Sequence, residues 1–374
     1  MKILFVGESW LGSSARSLRE ALARRPDIEL AEVNVDHVAP NARGLALRLA
    51  NRLLGPLQIK ELEAAVTLAV ATFRPDCVLF YKGWHFSRAY LAGLKAGGPF
   101  IANVFPDCSP HAHGRRLARA MGVYDLVIST KSFHPALWAS TYHYSNRCVF
   151  VPHGYDPWVH LRQAPSATED IDVALVATGR AEYHALIREL AARLGGEGLE
   201  MAIAGSAWRP LVGKLPKGWR LVGPRHGPDY IELIQRAKII LAPLQRQVEV
   251  DGRLQPGDGE TTRTYELAAA HCFFIHRSTD DISMLYNPYT ECPQYESAAD
   301  LAEQIRFYLP NADLRRAIAA AAHARAVPAY SLDQRAADIV KHLTAALTRA
   351  DDASEPPHRP PAARQTAASG SEDR

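Results

Sequence analysis

Short apolar runs alternate with longer segments of helical periodicity along most of the chain. In the first half, apolar runs at Lys2–Gly7, Cys77–Tyr81, Phe100–Phe105 and Asp125–Ser129 each precede a helical stretch. The predicted helices that follow them are Ser13–Arg25, Ser87–Gly97, Gly114–Met121 and His134–Thr141. Strands that alternate with helices in this way indicate βαβ units and a parallel sheet.

The same alternation begins again after an interruption rich in proline, glycine and polar residues. Predicted strands of the second half are Asp172–Ala177, Glu200–Gly205, Lys238–Leu244 and Cys272–His276. The pattern predicts an α/β protein of two Rossmann-like domains facing a cleft, followed by C-terminal helices. The expected boundaries are 1–152 for the first domain, 153–170 for the linker, 171–330 for the second domain, 331–350 for a helix that can cross back to the first domain, and 351–374 for a disordered tail.

Composition favours an ordinary globular protein. The chain has 374 residues, of which 47% are hydrophobic and 22% charged, and two domains are natural at this length. A net charge of +3 is too small to indicate nucleic-acid binding, and no apolar run reaches the roughly 18 residues of a membrane-spanning helix. The first residues lack a signal-peptide pattern, and five widely spaced cysteines suggest neither disulfides nor zinc. We therefore expect free thiols in a cytoplasmic protein.

A glycine-containing loop in the second half carries the strongest chemical signal. Gly257 and Gly259 precede a predicted helix that begins near Thr262 and contains Arg263 and Glu266. Free N–H groups and the helix dipole make such a start an anion site, and the glycines would let the backbone approach a diphosphate. A carboxylate one turn into the helix can accept hydrogen bonds from a ribose diol. The alternative is a solvent-exposed glycine turn before an ordinary capped helix.

The wider sequence resembles group-1 glycosyltransferases, and in particular their CgeB-like (spore maturation protein-like) branch. The segment TTRTYELAAAHCFFIH resembles the family's Arg-x-x-Glu-x-x-Ala motif. Weaker similarities are FVPHGYDPWVH in the linker, DCVLFYKGWHFS and FPDCSP in the first half, and the stretch from YESAADLAEQ towards the C-terminus. The resemblance spans roughly residues 1–345. It implies the GT-B fold, a nucleotide-sugar donor and no bound metal or other cofactor.

The resemblance also implies roles for individual residues. Glu266 would bind the ribose, and Asp258 takes the place of the first acid of the family's Glu-x7-Glu pattern, which contacts the donor sugar. Arg180 is a candidate diphosphate ligand. No lysine clearly completes the Arg…Lys pair of some relatives, so neutralising charge would come from Arg180, Arg263 or backbone N–H groups. His271 stands where the family usually has glycine.

Candidates for binding and activating an acceptor lie after the strands of the first half. A histidine or aspartate there can serve as a general base towards an acceptor hydroxyl. The candidate bases are His85, Asp107, His111 and His113, and the candidate acceptor-binding residues after the first strand are Glu8, Ser9 and Trp10. Each is, taken alone, more often a loop residue in ordinary hydrogen bonds.

Two stretches of the first half are basic and free of acids. Residues 43–60 include Arg43, Arg48, Arg52 and Lys60 among leucines, and the run 109–124 holds further arginines. A basic amphipathic helix at 43–60 can lie on an anionic membrane, which would make the protein peripheral on the inner membrane face. The alternative is a surface helix packed on its own domain.

The sequence therefore predicts transfer of a sugar from a nucleotide-diphosphate sugar to a hydroxyl acceptor, which it does not identify. Two alternatives remain open. One is a nucleotide-sugar epimerase of the same fold, which needs no acceptor. The other is a non-catalytic binding or assembly protein that keeps the fold.

Overall fold

The structure is a computed structural model that describes residues 1–37, 45–112, 114–161, 168–250 and 252–354. Within the ranges 45–53 and 351–354 it describes the backbone only.

The first domain is built on a parallel sheet of six strands. Their order is β2-β1-β3-β4-β5-β6, and every neighbouring pair is parallel. The strands are β1 (Lys2–Gly7), β2 (Glu29–Asn34), β3 (Cys77–Tyr81), β4 (Phe100–Phe105), β5 (Leu126–Ser129) and β6 (Arg147–Phe150). The central strand β3 is buried along its whole length, as expected for a sheet covered on both faces.

Helices cover both faces of this sheet. They are α1 (Ser14–Ala23), α2 (Leu45–Phe73), α3 (Arg88–Ala96), α4 (Arg115–Met121) and α5 (His134–Ser140), with a 3₁₀ turn at Val35–His37. Ser13 and Ser87 cap α1 and α3 by accepting hydrogen bonds from backbone N–H groups of the first turns. The caps place both helix starts directly after the loops that leave β1 and β3.

The second domain repeats the plan. Its sheet has the order β14-β13-β10-β7-β8-β9, again with parallel neighbours. The strands are β7 (Ile171–Val176), β8 (Met201–Ala204), β9 (Trp219–Gly223), β10 (Ala237–Ala242), β13 (Phe274–Arg277) and β14 (Gln294–Tyr295); β11 (Gln247–Val250) and β12 (Arg253–Pro256) form a separate antiparallel hairpin.

Helices α6 to α13 complete the chain. They are α6 (Pro157–His160), α7 (Ala181–Leu194), α8 (Pro228–Gln235), α9 (Thr262–Ala269), α10 (Asp280–Leu285), α11 (Ala298–Tyr308), α12 (Ala312–Ala326) and α13 (Leu332–Ser354), with a 3₁₀ turn at Arg209–Leu211. Apolar side chains of α7 and α11 pack in one core cluster of the second domain, and those of α8 and α9 pack in the other. Helix α12 contributes to both, through Ile318 and Ala319 in the first and Ala322 and Ala326 in the second.

The final helix returns to the first domain. Ala336, Ile339 and Leu343 of α13 are buried in the apolar core formed by α1 and the first sheet. The linker and the start of α13 are joined by backbone hydrogen bonds. Tyr155 N–H donates to the carbonyl of Tyr330 at 3.1 Å, and Leu332 N–H donates to the carbonyl of Tyr155 at 2.8 Å. Covalent linker and returning helix therefore form one hydrogen-bonded connection.

Several elements differ from the sequence prediction. The edge strands β2 and β9, the short strand β14 and the β11–β12 hairpin were not anticipated, because partly exposed strands such as β2 lack a continuous apolar run. Helix α2 runs without a break from Leu45 through the basic stretch to Phe73, and Leu68 on this helix is 65% exposed. Helix α13 extends to Ser354, so residues 351–354 are helical and not part of a disordered tail. Residues 355–374 lie outside the described ranges.

Candidate active site

One large cleft of about 1600 Å³ lies between the two domains. Its walls come from loops at the carboxyl ends of strands in both sheets, where ligands of open parallel sheets usually bind. Trp10 and Thr130 contribute from the first domain, and Arg180, Ser206 and Asp258 contribute from the second.

The start of α7 faces this cleft. Arg180 is the N-cap residue, Thr178 and Arg180 line the cleft, and the first N–H to bond back to the cap is that of His184. The exposed Arg180 guanidinium makes no hydrogen bond or ion pair with any residue that the structure describes. A 14-residue helix whose first turn and neighbouring arginine point at a cleft is suited to a diphosphate.

Glu266 lies in the same cleft on α9. The Tyr230 hydroxyl donates to its Oε2 at 3.1 Å, and Nε2 of His160 lies 3.6 Å from its Oε1. Burial and the neighbouring Glu266 charge raise the pKa of Tyr230 well above its usual value, so the hydroxyl remains a donor. The carboxylate is 17% exposed, which leaves it reachable from the cleft. Thr262, the first residue of α9, also lines the cleft.

Arg263 is held by the backbone of its own domain. Its two terminal nitrogens donate to the carbonyls of Val176 at 2.7 Å and Pro243 at 3.0 Å. These carbonyls lie at the ends of β7 and β10. The guanidinium therefore ties the loops after two strands to α9. Arg263 also lines the main cleft, and its contribution of charge to a diphosphate stays a prediction.

The two loop glycines also serve packing rather than access to the cleft. A side-chain carbon at Gly257 would lie 1.9 Å from the carbonyl oxygen of Gln245, and one at Gly259 would lie 2.0 Å from Oδ2 of Asp281. Both glycines line a second pocket of about 540 Å³, which meets the main cleft at Asp258. The prediction that they approach a diphosphate in the main cleft is not supported, because close contacts within the second domain already require glycine.

Asp258 makes a contact with the first domain that the sequence did not reveal. Nζ of Lys131, the second residue after β5, lies 2.7 Å from Oδ1 of Asp258. The Cys108 thiol donates to the same oxygen at 3.2 Å. Burial alone would raise the pKa of Asp258, but Lys131 holds it below its usual range. Lys131 is thus a cation beside Asp258 that the sequence analysis did not single out, and its only signal was its place after a buried strand.

A second acid, Glu260, is buried beside this ion pair. Its side chain is 2% exposed, and its Oε1 accepts the backbone N–H of His153 at 3.3 Å. Burial raises the pKa of Glu260 to about 7. Burial and the charge of Lys131 lower the pKa of His153, which lines the cleft, to about 3. The junction between linker, first domain and second domain is therefore a dense buried polar cluster.

The loop after β1 is only partly placed as expected. Glu8 pairs with Lys82 at 3.5 Å, and the backbone N–H groups of Ser9 and Trp10 donate to Asp36. Glu8 and Ser9 do not line the cleft, because these contacts hold them within the first domain. Trp10 does line it, and its ring meets His226 of the second domain edge-on at 5.2 Å.

The predicted general bases lie outside the cleft lining. His85 is buried against Trp84, and burial lowers its pKa to about 4. Asp107 and His111 are half-buried in the loop after β4, and His113 lies outside the described residues. Asp107 still acts electrostatically on Tyr81 and His153, which do line the cleft. The structure therefore does not place His85 or His111 where a base would reach an acceptor in this cleft.

His271 adopts a backbone conformation that favours glycine. Its φ of 59° lies in the left-handed region, which glycine adopts most easily. The residue follows α9 and stacks on His323 with 4.8 Å between ring centres.

The basic stretch 43–60 is only partly described. Arg43 lies outside the described residues, as do the side chains of Arg48 and Arg52. Beyond them, Leu54 is 48% and Leu57 64% exposed on α2. Among the helices of the described ranges, none combines the length and hydrophobicity needed to cross a membrane. All five cysteines fall in described ranges and are free thiols.

Part of the chain is similar to a known protein family. Residues 180–341 match the model of the family described as glycosyl transferase-like. A search of curated proteins returns no match.

Solved structures with the same fold cover nearly the whole chain. Sucrose-phosphate synthase from Thermosynechococcus elongatus aligns with a TM-score of 0.66 and 14% identity over 93% of this chain and 100% of that one. HepE from Anabaena in complex with UDP-glucose aligns with a TM-score of 0.62 and 14% identity, over 92% of this chain and 100% of that one. UDP-GlcNAc 2-epimerase from Neisseria meningitidis aligns with a TM-score of 0.51 and 13% identity, over 92% of this chain and 100% of that one.

The predicted two-domain α/β architecture of the GT-B type is confirmed by these alignments. The match of residues 180–341 to the glycosyl transferase-like family agrees with the predicted enzyme class.

Proposed function

We propose that the protein transfers a sugar from a nucleotide-diphosphate sugar to a hydroxyl acceptor. One observation carries the proposal. The start of α7, the Arg180 guanidinium, which has no partner among the described residues, and the reachable carboxylate of Glu266 meet in a single cleft. A helix start with an arginine suits a diphosphate, and a carboxylate suits a ribose diol. The family match over 180–341, which includes both residues, supports the same assignment.

Each half of the site would have a separate task. The second domain would bind the nucleotide through Arg180 and Glu266 and would stabilise the diphosphate as it leaves. Asp258 would face the donor sugar. The first domain would present the acceptor, with Trp10 on the cleft wall and Asp107 acting from the loop after β4. Holding donor and acceptor in one cleft supplies the orientation that transfer requires.

Two finer assignments belong to the proposal. The CgeB-like branch remains an inference from the residues around Glu266. A uridine nucleotide is the first donor to try, because HepE of similar fold was solved in complex with UDP-glucose.

Peripheral contact with an anionic membrane through residues 43–60 is a further part of the proposal. The exposed Leu54 and Leu57 and the exposed Lys60 of α2 support it, since exposed apolar and basic side chains together suit a lipid surface. Sedimentation with vesicles containing anionic lipid would detect the contact. Equal sedimentation with neutral and anionic vesicles, or none with either, would count against it.

The decisive experiment measures binding and sugar release together. We expect at least one of UDP, GDP and ADP to bind and raise the melting temperature. We also expect release of the matching nucleoside diphosphate from its sugar nucleotide to increase when acceptor extracts are added. Conversion of the sugar nucleotide without acceptor would indicate an epimerase. A UDP-GlcNAc 2-epimerase is among the solved structures of similar fold. Binding without either reaction would indicate a binding protein.

A further inference from the structure

The contact between Lys131 and Asp258 joins the two domains at the place where the donor sugar is expected. Lys131 follows β5 of the first sheet, whereas Asp258 precedes α9 of the second. The Lys131 side chain is 3% exposed, and its Nζ also lies 3.5 Å from the backbone carbonyl of Glu260. No other lysine in the described ranges forms an ion pair between the two domains.

The two carboxylate oxygens of Asp258 have different surroundings. Oδ1 accepts hydrogen bonds from both Lys131 and Cys108. Oδ2 accepts none from the part of the chain that the structure describes, and the side chain is 17% exposed at the wall of the main cleft. One oxygen is therefore fixed by the first domain while the other remains open to a ligand.

We propose that Lys131 is a positioning residue of the donor-sugar site: it anchors Oδ1 of Asp258 so that Oδ2 can accept a hydrogen bond from a hydroxyl of the transferred sugar. The inference rests on the proposed function and deepens it. The nucleotide site lies on the second domain, but the sugar site is complete only when the first domain supplies Lys131. Recognition of the sugar is thereby coupled to the closed arrangement of the domains.

Stability alone is a weak explanation for this buried pair. Removing two charges from water costs free energy that their attraction often only balances, and apolar replacements are frequently as stable. A fixed charge on Lys131 has a more specific effect, because it keeps Asp258 ionised and limits its rotation. An ionised carboxylate accepts hydrogen bonds but does not donate them, which suits a sugar hydroxyl.

The neighbouring residue provides a matched control. Ser132 also crosses between the domains, where its hydroxyl donates to Oδ2 of Asp281 at 2.8 Å. This contact belongs to the same loop after β5, but it does not involve Asp258 and lies beside the second pocket. Ser132→Ala therefore removes an inter-domain hydrogen bond without disturbing the proposed sugar contact.

The test compares affinities for two probes that differ only by the sugar. Calorimetry on the full chain would use the pairs UDP with UDP-glucose, GDP with GDP-mannose, and ADP with ADP-glucose. For the pair that the unaltered protein binds, we expect Lys131→Met to weaken sugar-nucleotide binding at least about tenfold and to change nucleoside-diphosphate binding by less than about twofold. Lys131→Arg, which keeps a charged donor, should restore much of the difference, and Ser132→Ala should leave both affinities unchanged.

A folding defect must be separated from loss of positioning. Lys131→Met leaves a buried unpaired carboxylate, so the double variant Lys131→Met/Asp258→Asn, which is neutral at both positions, is measured beside it. The double variant should show the same selective loss at a melting temperature closer to that of the unaltered protein.

The possible results are distinct. Equal loss for both probes of a pair, no loss for either, or selective loss in Ser132→Ala would overturn the role of Lys131. If the unaltered protein binds none of the probes, the proposed function fails before any variant is considered. If it binds them but Lys131→Met behaves normally, only the inference about Lys131 fails.

Discussion

The hydroxyl of Tyr230 donates a hydrogen bond to Oε2 of Glu266 across 3.1 Å, from α8 to α9. Nε2 of His160, at the end of the linker helix α6, lies 3.6 Å from the other oxygen of the same carboxylate. The acid is thus oriented by two different elements before any ligand arrives. Preorganised polar groups of this kind are typical of binding sites, because the ligand need not order them.

Glu266→Ala should weaken nucleoside-diphosphate binding by about 1.5–3 kcal/mol, the range for a hydrogen bond to a charged group. The measurement is calorimetric titration. Glu232→Ala on the neighbouring helix α8 is the control, since that side chain is 69% exposed and forms an ion pair with Arg236. Equal affinities in the Glu266 variant and the unaltered protein would remove Glu266 from the site.

Arg180→Ala should weaken binding of the nucleoside diphosphate far more than binding of the corresponding nucleoside. The physical reason is that the guanidinium at the start of α7 would act on phosphate charge alone. We expect a loss of about 1.5–3 kcal/mol for the diphosphate. Arg188→Ala, exposed further along the same helix, should have no effect. A similar loss for the nucleoside would contradict a phosphate role.

Arg263→Met should mainly lower stability. It removes hydrogen bonds to the carbonyls of Val176 and Pro243, and leaves Pro243 only the longer bond from the Tyr183 hydroxyl at 3.3 Å. A decrease of about 2 kcal/mol in the free energy of unfolding is expected from urea titrations. Normal stability combined with lost nucleotide binding would return Arg263 to the role inferred from sequence.

Glu260→Gln should change how stability depends on pH. Burial raises the pKa of Glu260 to about 7 from its ordinary value of 4.5, so the folded protein favours the protonated acid. The stability that protonated Glu260 contributes to the folded protein is fully present below about pH 4.5 and is lost as the pH rises through about 7. The glutamine variant keeps a neutral group and should therefore gain stability over the unaltered protein, on the order of 2 kcal/mol, between pH 5 and pH 8.

Melting temperatures across that pH range would test this prediction. Glu303→Gln, at a side chain that is 74% exposed, serves as the control and should follow the unaltered protein. A parallel course for the Glu260 variant and the unaltered protein would show that this acid does not titrate as proposed.

Asp107→Ala should lower turnover while leaving nucleotide affinity within about twofold. The residue lies in the first domain, away from Arg180 and Glu266, and acts on the cleft-lining Tyr81. Donor turnover and calorimetry on the same preparation would separate the two effects. Loss of nucleotide binding as large as that in the Glu266 variant would contradict the division of tasks between domains.

Much of the fold could be predicted because central strands of a parallel sheet are buried on both faces. Such strands appear as continuous apolar runs, and β1, β3 and β4 were predicted to the residue. The edge strand β2 escaped because its side chains are mostly half-exposed, so no apolar run marks it. Edge strands owe their place to hydrogen bonding with a neighbour that sequence patterns do not identify.

Spacing along the chain predicted only those parts of the candidate site whose residues lie close together in sequence. Thr262 and Glu266 occupy one helix, so their spacing could be read directly. Lys131 and Asp258 are separated by 127 positions and meet only because the first domain packs against the loop before α9. No local pattern records such a meeting.

The sequence by itself determined two domains of alternating strands and helices, because this alternation follows from local periodicity. The tertiary structure decided which charges remain available to a ligand. It assigned Arg263 to backbone carbonyls, Asp258 to Lys131 and the loop glycines to close packing, and it left Arg180 unpaired among the described residues. The physical reason is that a charged side chain forms a hydrogen bond or ion pair only when folding brings a partner within bonding distance. Those partners come from distant parts of the chain.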